Sequence, residues 1–348
     1  MDMTFAQRLI NARKIRCMSQ RELCASLDGR LSPTAIAKYE KGLMMPSSDV
    51  LLLLSKALDM KLEYFFRPFV VDIDVSKFEF RKNASLSNKK VESVKYFVCS
   101  EIEKYIEIES LLGINSSFTF DYSNMDIESE SDAISMAIRF RTDLNIGVDA
   151  IVSAVDLLES VGVKIIEIDH DNKFSGTCNI AEGTPVIVIN KNMTSERKRL
   201  TIFHELGHLM LHCAEGTDKE RMLTVFANEV LIPSDRFISM IGESRHDISL
   251  VELQAIQREY GVSVDALMAK AALMNVITQK RYEAYHKKKN AIPSFKESVM
   301  KSLYPMEYTT RFERLVYRAL ASDVISFSKA AALLNSSVNS VRERLTLM

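Results

Sequence analysis

The chain has 348 residues, 47% of them hydrophobic and 26% charged, with a net charge of -1. That length allows two or three domains with real cores, and the balanced charge excludes a chain that is basic throughout. Five scattered cysteines (Cys17, Cys24, Cys99, Cys178 and Cys213) without a CxxC pair argue against a disulfide framework and against a cysteine-built zinc site.

The average charge hides an asymmetry. Residues 1–67 hold eleven Lys and Arg against seven Asp and Glu, a modestly basic segment. Its start, Met1 to Leu9, has no signal-peptide core, and no apolar run in the chain approaches the ~20 residues of a membrane span. A cytoplasmic protein without a membrane partner is therefore expected.

From Thr4, the positions of Phe5, Leu9 and Ile10 predict a short amphipathic helix ending in Arg13-Lys14-Ile15-Arg16. Ser19 can cap a second helix, with Glu22 in the capping-box position. Beyond Asp28-Gly29-Arg30, Ser32 caps a third, Pro33 takes its first position and Gly42 closes it. A fourth starts at Pro46-Ser47-Ser48 and runs through Leu51, Leu52, Leu54 and Leu58. Short helices with a tight turn between the second and third are what a helix-turn-helix requires, the third helix entering the major groove.

Over residues 4–67 the chain resembles the XRE (Cro and phage-repressor type) helix-turn-helix family, through Ser19-Gln20-Arg21-Glu22-Leu23 and the run from Ile36 to Pro46. The resemblance implies a double-stranded DNA operator as partner, with Gln20, Ser32, Thr34, Ala35 and Lys38 as contacts. Arg21 and Lys41 are expected at phosphate rather than at base edges. Because one such domain covers half a site, a homodimer on an inverted repeat is expected. A small helical bundle for protein contacts, with Tyr39 and Glu40 serving only packing, is the competing reading.

Val70 to Phe80 alternates like a strand, and Ser87 to Leu112 reads as one long amphipathic helix, serving as a spacer, a dimer seam or an element packed on the domain C-terminal to it. Asn115 to Asp132 is rich in serine and acids without periodicity and is expected to be a flexible linker. Helices are predicted over Ser131 to Leu144 and Val148 to Val161, and strands over Val163 to Ile168 and Thr184 to Asn190. Phe174 to Glu182 is expected as a connecting flap. Cys178 within it is a candidate regulatory metal ligand or an inert loop cysteine. Ser195 is expected to cap the next helix, and the open edge of the strand before that helix to hold an extended peptide.

That helix carries His204-Glu205-Leu206-Gly207-His208. If it is helical, the two histidines sit one turn apart on one face and can close on one metal ion, with Glu205 beside them. Two imidazoles and one carboxylate leave a fourth zinc position for water, and a free carboxylate can take its proton. Glu205 is the candidate base. So short a pattern also occurs by chance on buried helices. Here the flanks Ile202, Phe203, Leu206, Leu209, Met210 and Leu211 are apolar, and Gly207 removes bulk. The third ligand has to come from elsewhere. Glu220 stands one turn ahead of the stripe Leu223, Phe226, Ala227 and Val230 and is the candidate; His212 competes, and Glu215, Asp218 and Glu229 are expected as solvated charges.

From Ala137 to about Tyr285 the chain resembles the ImmA/IrrE family of metallopeptidases, through Arg197 to His212 and Phe226 to Pro233. The resemblance implies His204, His208 and Glu220 as ligands of Zn2+, or of another divalent metal, and Glu205 as catalytic base. Family members read Glu-x-x-Ala-x-x-Phe-Ala at the second motif; this chain has Leu223 in place of that alanine.

After Pro233, helices are predicted over Ser234 to Ile241, Ser249 to Tyr260, and from a Ser263 cap to about Tyr285. Thr310 to Leu345 makes two or three small helices, read as a docking or dimerising bundle although Ser328 to Asn335 has a helix-turn-helix flavour. The expected class is α+β multidomain: an all-α helix-turn-helix domain (1–69), a strand, long linking helix and linker (70–132), a zincin-like metallopeptidase domain with a small sheet (133–290) and a helical C-terminal region (291–348). The function these parts imply is a DNA-binding regulator with a zinc-dependent endopeptidase domain, its protein substrate a repressor or other regulatory protein in a stress or mobile-element response. The rival is a transcription factor or antitoxin-like repressor whose peptidase fold only senses a metal or ligand.

Overall fold

Capping decides where the first helices begin in the computed structural model, which describes residues 3–71, 73, 75, 87–115, 118–120, 122, 125–169, 174–181 and 183–345. The helices are α1 (Met3–Ile15), α2 (Gln20–Ser26), α3 (Pro33–Glu40), α4 (Ser48–Leu58) and α5 (Leu62–Phe66). Ser19 Oγ accepts the Glu22 N–H at 3.2 Å while the Glu22 carboxylate accepts the Ser19 N–H at 2.6 Å, a complete capping box. Ser32 Oγ accepts the Ala35 N–H at 3.1 Å, and Pro33 follows it. The helices close on Phe5, Leu9, Leu23, Ile36, Leu54, Leu58 and Phe65. The sequence reading finds four of these helices; α5, barely one turn, is too short to show a period.

The long helix α6 (Asn88–Leu111) starts at a Ser87 cap and packs on α1. Arg8 of α1 is fully buried and donates to Glu103 of α6 through both terminal nitrogens, and to the carbonyls of Arg67 at 2.9 Å and Pro68 at 3.1 Å. Arg67 adds a second guanidinium to Glu103 at 2.9 Å. Burial pushes the Glu103 carboxyl up, but the two guanidiniums outweigh it and hold it below its ordinary value. Most of the expected strand Val70 to Phe80 lies outside the described residues.

The chain divides into two units, Met1–Ser116 together with Thr310–Met348, and Ser117–Thr309. The second runs β1 (Asp126–Ile127), α7 (Glu130–Asp143), α8 (Ala154–Ser160), β2 (Lys164–Ile168), β3 (Gly176–Ala181), β4 (Thr184–Asn190), α9 (Ser195–Met210), β5 (His212–Cys213), α10 (Lys219–Leu231), α11 (Ser234–Ile241), α12 (Leu250–Tyr260), α13 (Val264–Leu273), α14 (Gln279–Ala291) and α15 (Pro293–Met300). Its main sheet has the order β2-β4-β3, β2 parallel to β4 (Ile166 opposite Val188) and β3 antiparallel to it (Cys178 opposite Ile187).

Several expectations are corrected. The flap is the strand β3, because Gly176 to Ala181 completes the ladder along β4. Consequently β4, the strand before the metal helix, is central and has no open edge; among the described residues β3 is an edge strand. The described part of the expected linker contributes β1, paired in parallel with β5. The predicted helix over Val148 to Val161 is helical only from Ala154, where Ser153 caps it, and the one from Ser263 breaks after Leu273, with Asn275 left-handed at φ 58°. The cap of α9 is Thr194, not Ser195, whose hydroxyl donates to the Pro305 carbonyl at 2.8 Å. The segment after α15 latches onto α9: the Glu196 carboxylate accepts the N–H groups of Leu303 at 2.9 Å and Tyr304 at 3.2 Å, and buried Arg199 pairs with Glu307.

The last helices, α16 (Arg311–Ala321), α17 (Phe327–Leu333) and α18 (Val338–Leu345), close a small core with Tyr105 and Ile108 of α6. Lys61 donates to the Ala331 carbonyl at 3.1 Å, and Arg311 pairs with Glu109 at 2.5 Å. The expected region 291–348 is thus split at Thr310: its second part belongs with the amino-terminal helices because α6 offers it an apolar face and paired acids. Among the described residues no helix is long and apolar enough to cross a membrane.

Candidate metal centre and nucleic-acid interface

The metal-binding candidates sit where α9 and α10 approach closely. On α10, Asp218 caps the first turn, accepting the Arg221 N–H at 3.2 Å, and Arg221 Nε donates to Glu130 of α7 at 2.6 Å. Its apolar stripe, with Leu223, Phe226, Ala227 and Val230 all fully buried, packs against α9. Gly207 permits that approach: a Cβ there would stand 3.0 Å from Leu223 Cδ2 and 3.3 Å from Phe226 Cδ1. The missing side chain therefore serves helix packing more than room between the histidines. Leu223 fills the space against it.

This packing brings Glu220 to the histidines. Glu220 Oε2 lies 3.1 Å from His204 Nε2, and Oε1 lies 3.7 Å from His208 Nε2. The ligand atoms of all three lie within 4.8 Å of one another. Atoms bound at about 2.0–2.1 Å to one zinc ion at tetrahedral angles stand roughly 3.3 Å apart, so the set fits a small divalent cation. A carboxylate and ring nitrogens facing each other are all acceptors unless a proton or cation stands between them, which agrees with that fit. The His208 side chain is 4% exposed and that of Glu220 is 60% exposed, so the centre is walled on the α9 side and open on the α10 side.

Neighbouring side chains set orientation. Thr224, one turn after Glu220, gives its hydroxyl hydrogen to the Glu220 carbonyl at 2.8 Å and lies 3.3 Å from His204 Nδ1. The Glu205 side chain is buried beside the pair. Gly176, first residue of β3, passes directly over it: a Cβ there would stand 3.5 Å from Glu205 Cγ and 2.5 Å from Thr201 Cγ2. The strand β3 thus begins at the candidate base. Sequence reading missed Thr224 and Gly176, since neither belongs to the HExxH pattern.

The competitors are placed elsewhere. His212 leaves the helix, enters β5 and bonds through Nδ1 to Asp126 at 2.6 Å. Glu229, expected as a solvated charge, is buried, pairs with Lys270 at 2.5 Å and accepts the Ser234 N–H at 2.6 Å. Asp218 is the α10 cap, and Glu215 is exposed. Cys178 stands in β3 and is no member of the His204, His208 and Glu220 cluster.

In the amino-terminal helices, Thr34 and Lys38 are exposed one turn apart on α3, Arg21 and Lys41 are exposed, and Ala35 is half-buried. Ser32 uses its hydroxyl as the α3 cap. Gln20 donates to Glu40 at 2.7 Å; Glu40 is buried and clamped by Arg13 at 2.5 and 2.9 Å, tying α1, α2 and α3 together. Lys89 of α6 donates to Glu22 at 2.6 and 2.8 Å, and this solvent-exposed bond, with the Ser19 N–H, lowers the Glu22 carboxyl below its ordinary value.

Fold and site together describe a helix-turn-helix unit joined to a unit with a metallopeptidase-type helix pair. A family model for helix-turn-helix domains matches residues 9–65, and one for the IrrE N-terminal-like domain of a peptidase family matches residues 158–271. No match is found among curated proteins. The two matches support a fusion of an XRE-type helix-turn-helix domain with an IrrE/ImmA-like peptidase-family domain.

Proposed function

We propose that this protein is a DNA-binding regulator whose peptidase domain cleaves a regulatory protein, a repressor being the class of substrate. The observation that carries the reading is the convergence of His204, His208 and Glu220 within 4.8 Å beside a buried Glu205.

A divalent cation held by those three residues, zinc by the nature of the set, would supply Lewis acidity at that point. Glu205 takes one proton from the attacking water as its oxygen bonds to the peptide carbonyl carbon, then delivers that proton to the leaving amine nitrogen as the C–N bond breaks. His208, nearly enclosed, keeps its imidazole fixed, and Thr224 orients that of His204. The substrate adds as an extended strand along the open edge of β3, where backbone hydrogen bonds tolerate varied side chains; Gly176 lets it approach Glu205.

The helix-turn-helix domain binds operator DNA as one half of a homodimer, with Thr34 and Lys38 at base edges. The test of the peptidase reading is mass spectrometry of candidate repressors incubated with zinc-loaded protein: discrete fragments are expected, and intact repressors throughout would contradict it.

A further inference from the structure

A cavity of about 410 Å³ opens between the end of α1, the start of α2 and the first turn of α6. Arg13, Lys14, Gln20, Arg21, Lys89 and Glu92 are in its lining, so four cations face it against one carboxylate. Their present bonds differ in kind. Arg13 is committed to buried Glu40. Lys14 pairs with Glu92 at 2.7 Å and Lys89 with Glu22 at 2.6 Å, both across half-exposed carboxylates. Arg21 has no carboxylate partner among the described residues. Exposed pairs of this type are weak and exchange readily for another anion. A phosphate entering the cavity would find Arg21 at hand and Lys14 and Lys89 able to turn to it.

The position says which phosphate. Gln20 and Arg21 belong to α2, the helix that crosses the DNA backbone in a helix-turn-helix, so the cavity lies on the backbone side of the motif. Lys89 lies outside the matched helix-turn-helix residues, 9–65. We propose that the cavity is a phosphoryl-recognition cleft that takes a DNA backbone phosphate, with Lys89 supplying a contact from α6 that the helix-turn-helix alone lacks. The proposal rests on the DNA-binding reading above. It makes α6 part of the DNA interface.

The test uses the full chain and two duplexes, one carrying the promoter of its own gene and one of random sequence, titrated between 50 and 200 mM salt. Lys89→Ala should weaken binding to both and lower the slope of log K against log salt by about one, with Lys89→Arg restoring it. Lys90→Ala, exposed in the same turn and outside the cavity lining, should leave the slope unchanged. An unchanged slope in Lys89→Ala, while Lys38→Ala still weakens promoter binding, overturns the cleft and spares the DNA reading. If Lys38→Ala and Lys89→Ala both leave binding as in the wild type, the DNA reading itself fails. Calorimetry with inorganic pyrophosphate separates the sources: pyrophosphate binding lost in Lys89→Ala, with the DNA slope intact, assigns the cleft to a free phosphorylated ligand and overturns the backbone assignment.

Discussion

Thr224 Oγ1 stands between the Glu220 carbonyl, 2.8 Å away, and His204 Nδ1, 3.3 Å away. Its hydroxyl hydrogen is used at the Glu220 carbonyl, so toward His204 Nδ1, 3.3 Å away, the oxygen can only accept. With the hydroxyl hydrogen on the carbonyl, Nδ1 carries the ring proton and Nε2 turns its lone pair to Glu220, the arrangement a metal-ligating imidazole needs.

Thr224→Val removes that acceptor at constant shape. Metal affinity, measured by competition with a chelator, should fall about 10- to 100-fold, while His204→Ala or His208→Ala should abolish stoichiometric metal. Unchanged metal content in both histidine variants would remove the site from this helix pair.

The contact between Gly207 and Leu223 makes a coupled prediction. Gly207→Ala places a methyl 3.0 Å from Leu223 Cδ2 and should cost about 1–3 kcal/mol by overpacking. Leu223→Ala alone should cost about 2–5 kcal/mol as a buried truncation. Together they should cost less than the sum, because the new methyl enters the space Leu223 leaves. Denaturant melts of the four proteins decide this; strict additivity would mean that the two residues do not meet.

Glu103 carries a pH prediction. Its folded pKa is held below the ordinary value by Arg8 and Arg67 against the opposing effect of burial. The unfolded chain therefore takes up the proton first, so the stabilisation is present above the ordinary carboxylate range and is lost as pH falls through the folded pKa. Glu103→Gln strands Arg8, which is fully buried, and should cost about 3–5 kcal/mol at pH 7. The gap in melting temperature between wild type and variant should shrink on moving from pH 7 to pH 3. A gap independent of pH would contradict the pairing.

Much of this was legible in sequence, and the boundary has physical causes. Capping boxes and helical periods are local, so α2, α3, α6, α10 and α11 can be read almost to the residue, and one-turn spacing puts His204 and His208 together. What escaped depends on pairing between distant segments. The strand β3 exists because Gly176 to Ala181 finds β4, and its own alternation is too weak to announce it. Glu229 looks like any surface acid until Lys270, 41 residues on, is seen beside it. The return of Thr310–Met348 to the amino-terminal unit is invisible in a chain read linearly, since its signal is the apolar face shared by α6 and α16 to α18. Thr224 is one hydroxyl on an exposed helix turn, and only the nearby imidazole gives it meaning.

The central claim, that hydrolysis carries the regulatory output, is tested most directly by Glu205→Gln. Glutamine keeps the size of this buried side chain but cannot take a proton, so metal content, folding and operator binding should stay close to wild type while cleavage falls by about 10²-fold or more. The measurement is release of the controlled promoter in cells. The account predicts that release disappears in Glu205→Gln while operator binding in vitro persists. Release that survives in Glu205→Gln but is lost in His204→Ala would contradict it, leaving metal occupancy as the signal and the protein a metal-gated transcription factor built on a peptidase fold.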